Sequence, residues 1–518
     1  MAAGVAAMAA TDRADPRTPV LVGVGQASDR ESPPATAGSP LDLMARAAAA
    51  ALVDSGGSGI ALDTVAVVRL FADSSPAFAS PFGAYTNLPR SLARRLGATP
   101  RTELYGPVGG NTPQMLVNLM AERIAQGQAD AVLIAGVEAL RTQANAVKAG
   151  IELDWGDDPG GEPATLGPET PLVDGHEIAH EIALPVNVYP LFESALAARL
   201  GETADATAAR IGALMAPFAR VAAANPHAAV PVARTPAELV TPTEANRMIA
   251  SPYTKYLVSN LFVDQAAAVV MMSTAAADAA GVPEARRVHL RGCADTHEPI
   301  LVHQRSDYAA SPSIRVGAAH ALAMAGIGPG DLDAIDLYSC FPVAVAIAAR
   351  EIGLADDDPH GLTLTGGLPY FGGAGNNYSL HAVAEAIARC RAAPGSIGFV
   401  FANGGYLTKS SFGVYSTRPT RGGWQRTDPA TYQRDIDAVS SPAFTRTPSG
   451  PGTVEALTVV HDRGAPAFAL VIGRLADGTR FLAQTGDDLV ALTRGNPVGR
   501  RCTVRTGGRV NQVTIASA

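Results

Sequence analysis

With 518 residues the chain is too long for one small core, and two to four domains are expected. Apolar residues make up 47% and aromatic residues 5%, which fits a soluble α/β globule, while the net charge of −8 excludes a global basic field for nucleic acid. No run of about 20 apolar residues offers a membrane span, the N-terminal MAAGVAAMAATDRADP lacks the basic start of a secretory signal, and Cys293, Cys340, Cys390 and Cys502 are too scattered for a disulfide framework, as suits the reducing cytoplasm.

Residues 19–27 (PVLVGVGQA) read as a buried strand: short, apolar and closed by glycine. Residues 40–54 predict a helix with Pro40 near its start. A strand is expected at 64–71, a helix at 112–126 and a strand at 130–136 (DAVLIAG). Strands alternating with helices imply a mostly parallel sheet covered on both faces. From Gly150 to about Thr170 the pattern gives way to Gly, Pro, Asp and Glu, which marks an excursion from the core. Helices resume near 191–200 and 203–224. The strand–helix rhythm returns at 263–279 (VDQAAAVVMMSTAAADA). It continues through strand 287–292, helix 313–326, strand 334–338, helix 342–353 and strands 396–403 and 410–416. Two such α/β blocks suggest a duplicated architecture.

After Ser416 the composition shifts. Residues 417–450 are rich in Thr, Arg, Pro, Ser and Gly and read as a linker. Three alternating runs follow, TVEALTVVHD, PAFALVIGRLADGTRFLAQTG and GRRCTVRTGGRVNQVTIA, in which ADGT and TGGR are hairpin signals. Closely spaced strands over so short a stretch predict a small, OB-like β-barrel.

Several ordered motifs carry a resemblance. The stretch PVGGNTPQMLVNLMAERIAQGQADAVLIAGVEAL (107–140), VDQAAAVVMMS (263–273), LDAIDLYSCFPVAVAIAAREIGL (332–354), LTGGLPYFGGAGNNYSLHAVAEA (364–386) and GFVFANGGYLTKSSFGVYS (398–416) are similar, in order, to the thiolase superfamily. The YSCF tetrapeptide (338–341) is closer to the sterol-carrier-protein-type members. The resemblance covers about 19–416. It implies a thiolase fold, two α/β halves stacked in five αβαβα layers, with an OB-like barrel appended. The expected divisions are 1–150 for the first half, 151–250 for the excursion, 251–418 for the second half and 419–518 for linker and barrel.

A thiolase carries an acyl group on a cysteine, removes a proton from the α-carbon with a base, and holds developing charge in oxyanion holes. By the resemblance, the nucleophile's place falls on Gly110, the basic histidine's near Gly373, the second cysteine's near Ala402, and the asparagine or histidine of the catalytic box on Tyr338. The backbone at Gly109, Gly110, Gly404 and Gly405 remains available as an oxyanion wall. Tyr338 is similar to the tyrosine of thiolase-like aldolases, which cleave a β-hydroxyacyl-CoA without an acyl-enzyme, and the resemblance implies an acid/base role in which the phenol takes the proton of the hydroxyl; the other reading is a buried packing residue. Tyr370 and His381 crowd the loop that normally supplies the base, and His381 is either a relocated base or a histidine satisfied at a helix start. Cys340 reads as core.

The resemblance further implies coenzyme A or acyl-CoA as ligand, with no covalently held cofactor and no metal. Arg247 and Lys255 are the candidate phosphate contacts, against a reading as solvated surface charge. The implied activity is that of an acetyl-CoA acetyltransferase in lipid or sterol metabolism, with C–C lyase and non-catalytic binding or scaffolding as alternatives. HEIAH (176–180) matches the zinc-binding H-E-x-x-H pattern, but its short run before Leu184-Pro185 favours an exposed polar segment. Arg500, Arg501, Arg505 and Arg509 make one side of the barrel basic, yet its few aromatics argue against nucleic acid as a partner. Homodimer and monomer are both compatible with the sequence.

Overall fold

The computed structural model describes residues 15–167, 170–419 and 423–517. Most of the N-terminal segment examined for a signal lies outside these residues, as do positions 420–422 of the expected linker.

Ten strands form the body: β1 (Pro19–Ser28), β2 (Thr64–Val67), β3 (Thr102–Tyr105) and β4 (Ala131–Ala139) precede the excursion, and β5 (Ala164–Thr165) lies in its first segment. The excursion contributes β6 (Met248–Ala250) and β7 (Tyr253–Thr254), and β8 (Asp264–Ser273), β9 (Val288–His297), β10 (Ala334–Leu337), β11 (Gly398–Gly404) and β12 (Lys409–Ser416) complete the body. The order across the sheet is β10-β11-β12-β9-β1-β8-β4-β2-β3-β5. The duplication is visible in the pairing. In each half a parallel pair, β2/β4 or β10/β11, is followed by an antiparallel partner, β8 or β12, which then pairs antiparallel with the half's first strand, β1 or β9. A short contact of Val20 and Leu21 with His289 and Val288 joins the halves. The excursion sits between β4 and β8; at the matching place in the second half only a tight turn separates β11 from β12.

Helices Thr112–Ala125 and Tyr378–Ala392 lie between the two halves and bury Leu116, Val117, Met120, Leu380, Val383 and Ile387 in one shared core. Helix Pro40–Asp54 covers the outer face of the first half. Its start is fixed by a capping box between Ser39 and Asp42, with Pro40 in the first turn. Helices Pro312–Ala325 and Pro342–Ile352 cover the second half. Helix–sheet contact is tight: a Cβ on Gly25 would lie 2.1 Å from the Ala47 carbonyl oxygen, so the strand needs glycine there. These are the five layers expected.

In the excursion, helix Pro185–Leu200 begins at Pro185, where the sequence suggested only a break; proline at the first helical position has no N–H to waste. Helix Ala204–Ala224 follows. Strand β5 pairs with β3, so the excursion's first segment covers the outer edge of the sheet.

The C-terminal strands are β13 (Gly450–Asp462), β14 (Ala465–Leu475), β15 (Arg480–Thr485), β16 (Arg501–Arg505) and β17 (Gln512–Ile515). They close in the order β13-β14-β15-β17-β16-β13, with β15 and β17 parallel and helix Leu489–Arg494 between β15 and β16. This is a five-stranded Greek-key barrel of OB type. Its interior holds Val454, Val459, Val471, Phe481 and Val504. Its outer face places Ala456, Leu470, Ile472 and Leu482 in the body's largest core, and β13 also pairs with β6. The expected linker departs from its composition. Trp424 is buried with its indole N–H on the Leu290 carbonyl, Arg426 bridges Glu122 and Asp295, and Tyr432 stacks on His320 at 4.4 Å. A few large side chains turn this polar stretch into a strap on the body.

Candidate functional site

The two middle helices point their N-termini at one spot, where Asn111 and Asn377 occupy the cap positions. Side chains from the second helix lace this spot together. Ser379 Oγ donates to the Gly110 carbonyl at 2.6 Å, and the Gly109 N–H donates to Asn376 Oδ1 at 3.0 Å. Asn376 Nδ2 in turn donates to the Arg69 carbonyl and Ser74 Oγ. The ends of β10 and β11 close the other side.

The side-chain spaces above the glycines are filled. A Cβ on Gly110 would lie 2.3 Å from the Tyr338 hydroxyl and 2.6 Å from the Asn403 carbonyl. One on Gly404 would lie 2.3 Å from Asn111 Oδ1, and one on Gly373 2.2 Å from Ser259 Oγ. Gly109, Gly110 and Gly404 therefore do converge, with the Gly404 Cβ position 3.1 Å from Gly109 Cα. Gly405 (φ +68°) begins the β11–β12 turn and its carbonyl accepts the Tyr189 hydroxyl at 2.9 Å. The Gly109 N–H is committed to Asn376 and is not free for an oxyanion.

Tyr338 is buried, with its ring edge-on to Tyr378 at 5.5 Å. Burial, then Cys340, raises its phenol far above the ordinary range, so it stays protonated and can donate but not act as a ready base. Burial pushes the Cys340 thiol up to about 12, against hydrogen bonds with Tyr189 and Asn403 that favour the thiolate. It is inert, as its reading as core expects. Asn403 Nδ2 donates to the Tyr189 hydroxyl at 3.0 Å.

Tyr370 and His381 sit elsewhere. Among the described residues no hydrogen bond or ring contact links either to Tyr338. The Tyr370 hydroxyl is buried without a partner, and burial raises its phenol. His381 is fully buried against the edge of Phe371. Gln26 donates its amide to Glu385, which leaves Gln26 Oε1 to accept from His381 Nδ1 at 2.7 Å. Burial, with a smaller push from His227, takes His381 down to about 3. The ring is neutral and faces β1, which fits a packed histidine rather than a relocated base.

Arg247 and Lys255 are both exposed and adjacent, since the Lys255 N–H donates to the Arg247 carbonyl at 2.9 Å. Arg247 stands beside the β13–β14 turn at Gly464. Neither lines the cleft between excursion and barrel, formed by Glu193, Thr207, Pro252, Leu457, Leu492 and Asn496, nor a second hollow at Arg30, Arg141, His227 and Gln265.

Sequence reasoning missed Asn111, Asn403, Ser259, Tyr189 and Glu138. Asn111 Oδ1, Asn403 Oδ1 and both polar ends of Asn377 are buried without hydrogen bonds, a concentration that calls for a water or a ligand. Glu138 is pushed up to about 8 by burial and Asp73, against a single hydrogen bond from the Phe71 N–H. The only signal for Asn111, Asn403 and Glu138 was their position close to glycines in the motifs; Tyr189 and Ser259 lie outside the motifs and carried none.

HEIAH is not an exposed segment. Asp174 caps its helix, and Glu177 Oε1 accepts from both the backbone N–H and Nδ1 of His303 at 3.0 Å. His180 Nδ1 donates to the His176 carbonyl and Nε2 accepts the Asn511 N–H. Donor atoms of Asp174, Glu177 and His303 lie within 4.8 Å of one another, but His303 is already spent on Glu177, and both ring nitrogens of His180 are engaged. The motif is a seam between excursion and barrel.

Comparison with known proteins bears on the family and the fold. Residues 432–509 match the "thiolase-like protein type 1 additional C-terminal domain". A monomeric SCP2-thiolase-like protein type 1 from Mycobacterium smegmatis is 40% identical, with a TM-score of 0.82 over 97% of this chain and 100% of that one. An Ltp2–ChsH2(DUF35) aldolase (18% identity, TM-score 0.57) and an acetyl-CoA acetyltransferase from Syntrophomonas wolfei (16%, TM-score 0.53) each share the fold over 78% of this chain and 99% of theirs. The acetyl-CoA acetyltransferase of Methanothermobacter thermautotrophicus is 26% identical over 144 residues, which are 28% of this chain and 36% of that relative.

Proposed function

The chain belongs to the SCP2-thiolase-like protein type 1 family, and we propose that it binds coenzyme A or an acyl-CoA without forming an acyl-enzyme, in the lipid or sterol metabolism of the cytoplasm. One observation carries this reading: the space for a side chain at Gly110, where the resemblance puts the nucleophile, is filled by the Tyr338 hydroxyl. The same is true at Gly373, the place of the basic histidine, which Ser259 fills. Tyr338 and Ser259 supply polar contacts where a thiolase supplies a thiolate and a base. The Tyr338 phenol is held protonated by burial and is no ready nucleophile. The phosphates of the ligand are assigned to Arg247 and Lys255, two adjacent exposed cations at the excursion–barrel corner. The covered outer edge of the sheet supports a monomer. Among the described residues no helix is long and apolar enough to cross a membrane.

Calorimetry with coenzyme A and acetyl-CoA tests the binding, which should weaken with salt and on substitution of Arg247 and Lys255 by Gln. Intact-mass measurement after incubation with acetyl-CoA should show no acetylated species; an acetylated cysteine would overturn the proposal.

A second reading rests on Tyr338 itself. Its protonated hydroxyl stands against Gly110 and the Asn403 carbonyl, where a donor would meet a thioester oxygen. A C–C lyase acting on a β-hydroxyacyl-CoA would use it as acid/base: as the Cα–Cβ bond breaks, Tyr338 gives its proton to the enolate carbon and recovers one from the β-hydroxyl, which leaves as the carbonyl. Release of a ketone or aldehyde that is lost in Tyr338→Phe would favour this reading; no release from short-chain and steroid-derived substrates leaves the binding protein in front.

A further inference from the structure

The last thirty residues of the chain, 489–518, contain Arg494, Arg500, Arg501, Arg505 and Arg509 and no Asp, Glu or Lys. The whole protein carries −8, so this concentration runs against its net charge. Several buried or half-buried arginines elsewhere are paired with carboxylates: Arg426 with Glu122 and Asp295, Arg210 with Glu193 and Glu202, Arg391 with Asp54. The side chains of the five barrel arginines make no hydrogen bond or ion pair among the described residues. Arg501, Thr503 and Arg505 alternate outward along β16, all exposed, while Cys502 and Val504 point into the barrel. The two arginine Cα atoms are about 13 Å apart on one face. Across the ladder, exposed Thr453 stands opposite Arg501, and exposed Pro451 and Thr514 flank Thr503. The face thus offers guanidinium forks and hydroxyls, and Glu455, the nearest carboxylate along β13, is held by Arg474 and Arg480.

We propose that this β13/β16/β17 face docks an acidic segment of a partner protein. Guanidinium groups pair carboxylates in a bidentate fork, and threonine hydroxyls add donors between them. Single-stranded nucleic acid fits poorly. It needs aromatic platforms, and the barrel's two phenylalanines are Phe481, fully buried, and Phe468, packed against the body core. The barrel is closed, so recognition is through side chains on a flat face rather than by strand addition.

The test uses the full chain and fluorescence anisotropy with a fluorescein-labelled peptide of eight alternating Asp and Glu residues, beside a twelve-nucleotide single strand and a duplex of matched label. The peptide should bind, weaken as salt rises, and lose roughly five- to thirtyfold in affinity in Arg501→Gln/Arg505→Gln. Arg501→Glu/Arg505→Glu should abolish binding, and Arg434→Gln, outside the barrel, should leave it unchanged. Both arginines are exposed, so the variants should melt at the parent temperature. Failure of the peptide to bind, equal binding by the Gln double variant, or tighter binding of either nucleic acid would overturn the proposal.

Discussion

Gly110→Ala is the sharpest probe of the site. The new Cβ would meet the Tyr338 hydroxyl at 2.3 Å, the Asn403 carbonyl oxygen at 2.6 Å and Tyr338 Cζ at 2.8 Å. Ordinary contact begins about 1 Å further out. Two of these atoms belong to a buried ring braced edge-on by Tyr378, and the third is backbone in β11, so little can give way. Overpacking of this kind costs about 1–3 kcal/mol. Loss of glycine's freedom in the unfolded chain offsets about 0.4–1 kcal/mol of it. The expected net loss is about 1–2 kcal/mol, read as a lower urea midpoint at unchanged slope. Tyr338→Phe removes the closest atom but leaves the Asn403 carbonyl and the ring carbon Cζ. In that background Gly110→Ala should therefore cost less, by at least about 0.5 kcal/mol. Gly110→Cys should be no more stable than Gly110→Ala and should take up no acetyl group from acetyl-CoA. If Gly110→Ala is neutral, or costs the same with and without the Tyr338 hydroxyl, then Tyr338 does not occupy the nucleophile's space and the argument for a filled site fails.

Stability should depend on pH through two buried groups of opposite sign. Glu138 is raised from 4.5 to about 8, so its stabilising contribution is full below pH 4.5 and is lost as pH rises towards 8, by at most about 1.4 kcal/mol per pH unit; Glu138→Gln should flatten that limb of a melting-temperature profile. His381 is lowered from 6.5 to about 3, so its contribution is present above pH 6.5 and is lost as pH falls towards 3, and His381→Asn should flatten the acid limb. Arg480 is fully buried, pairs with Glu455, donates to the His303 and Arg305 carbonyls and lies 4.6 Å from the Tyr308 ring centre. Arg480→Met should cost about 3 kcal/mol in urea melts, the low end for a broken buried pair because Arg474 still holds Glu455. Removal of residues from Pro419 onward should yield aggregating protein in size-exclusion runs, since it uncovers the core face shared with Ala456, Leu470, Ile472 and Leu482. EDTA should leave the melting temperature unchanged, because the histidines of HEIAH hold a seam and not an ion; a drop would refute that reading of His180.

The alternation of apolar strands and amphipathic helices was enough to specify two α/β blocks, because each element is stabilised by residues within a few positions of itself. The ADGT and TGGR turns likewise located the β14–β15 and β16–β17 hairpins, where Gly478 takes the positive φ the turn requires. The convergence of Gly109, Gly110 and Gly404 was legible through the motifs that contain them. Tertiary structure alone decided what fills the spaces above those glycines. Tyr338 meets Gly110, and Ser259 meets Gly373, across more than a hundred residues of chain. No local periodicity encodes such a meeting. His381 looked like a base by its place in a loop, and only the packing of Gln26 and Phe371 around it made it neutral. The 417–450 stretch looked like a linker because Trp424, Tyr432 and Ile436 are sparse in a polar segment; the body supplied the apolar surface that binds them. HEIAH read as exposed because its partners, His303 and Asn511, come from far along the chain. Elements follow from short-range patterning, whereas a site is made by long-range contacts whose energy depends on which surfaces the fold brings together.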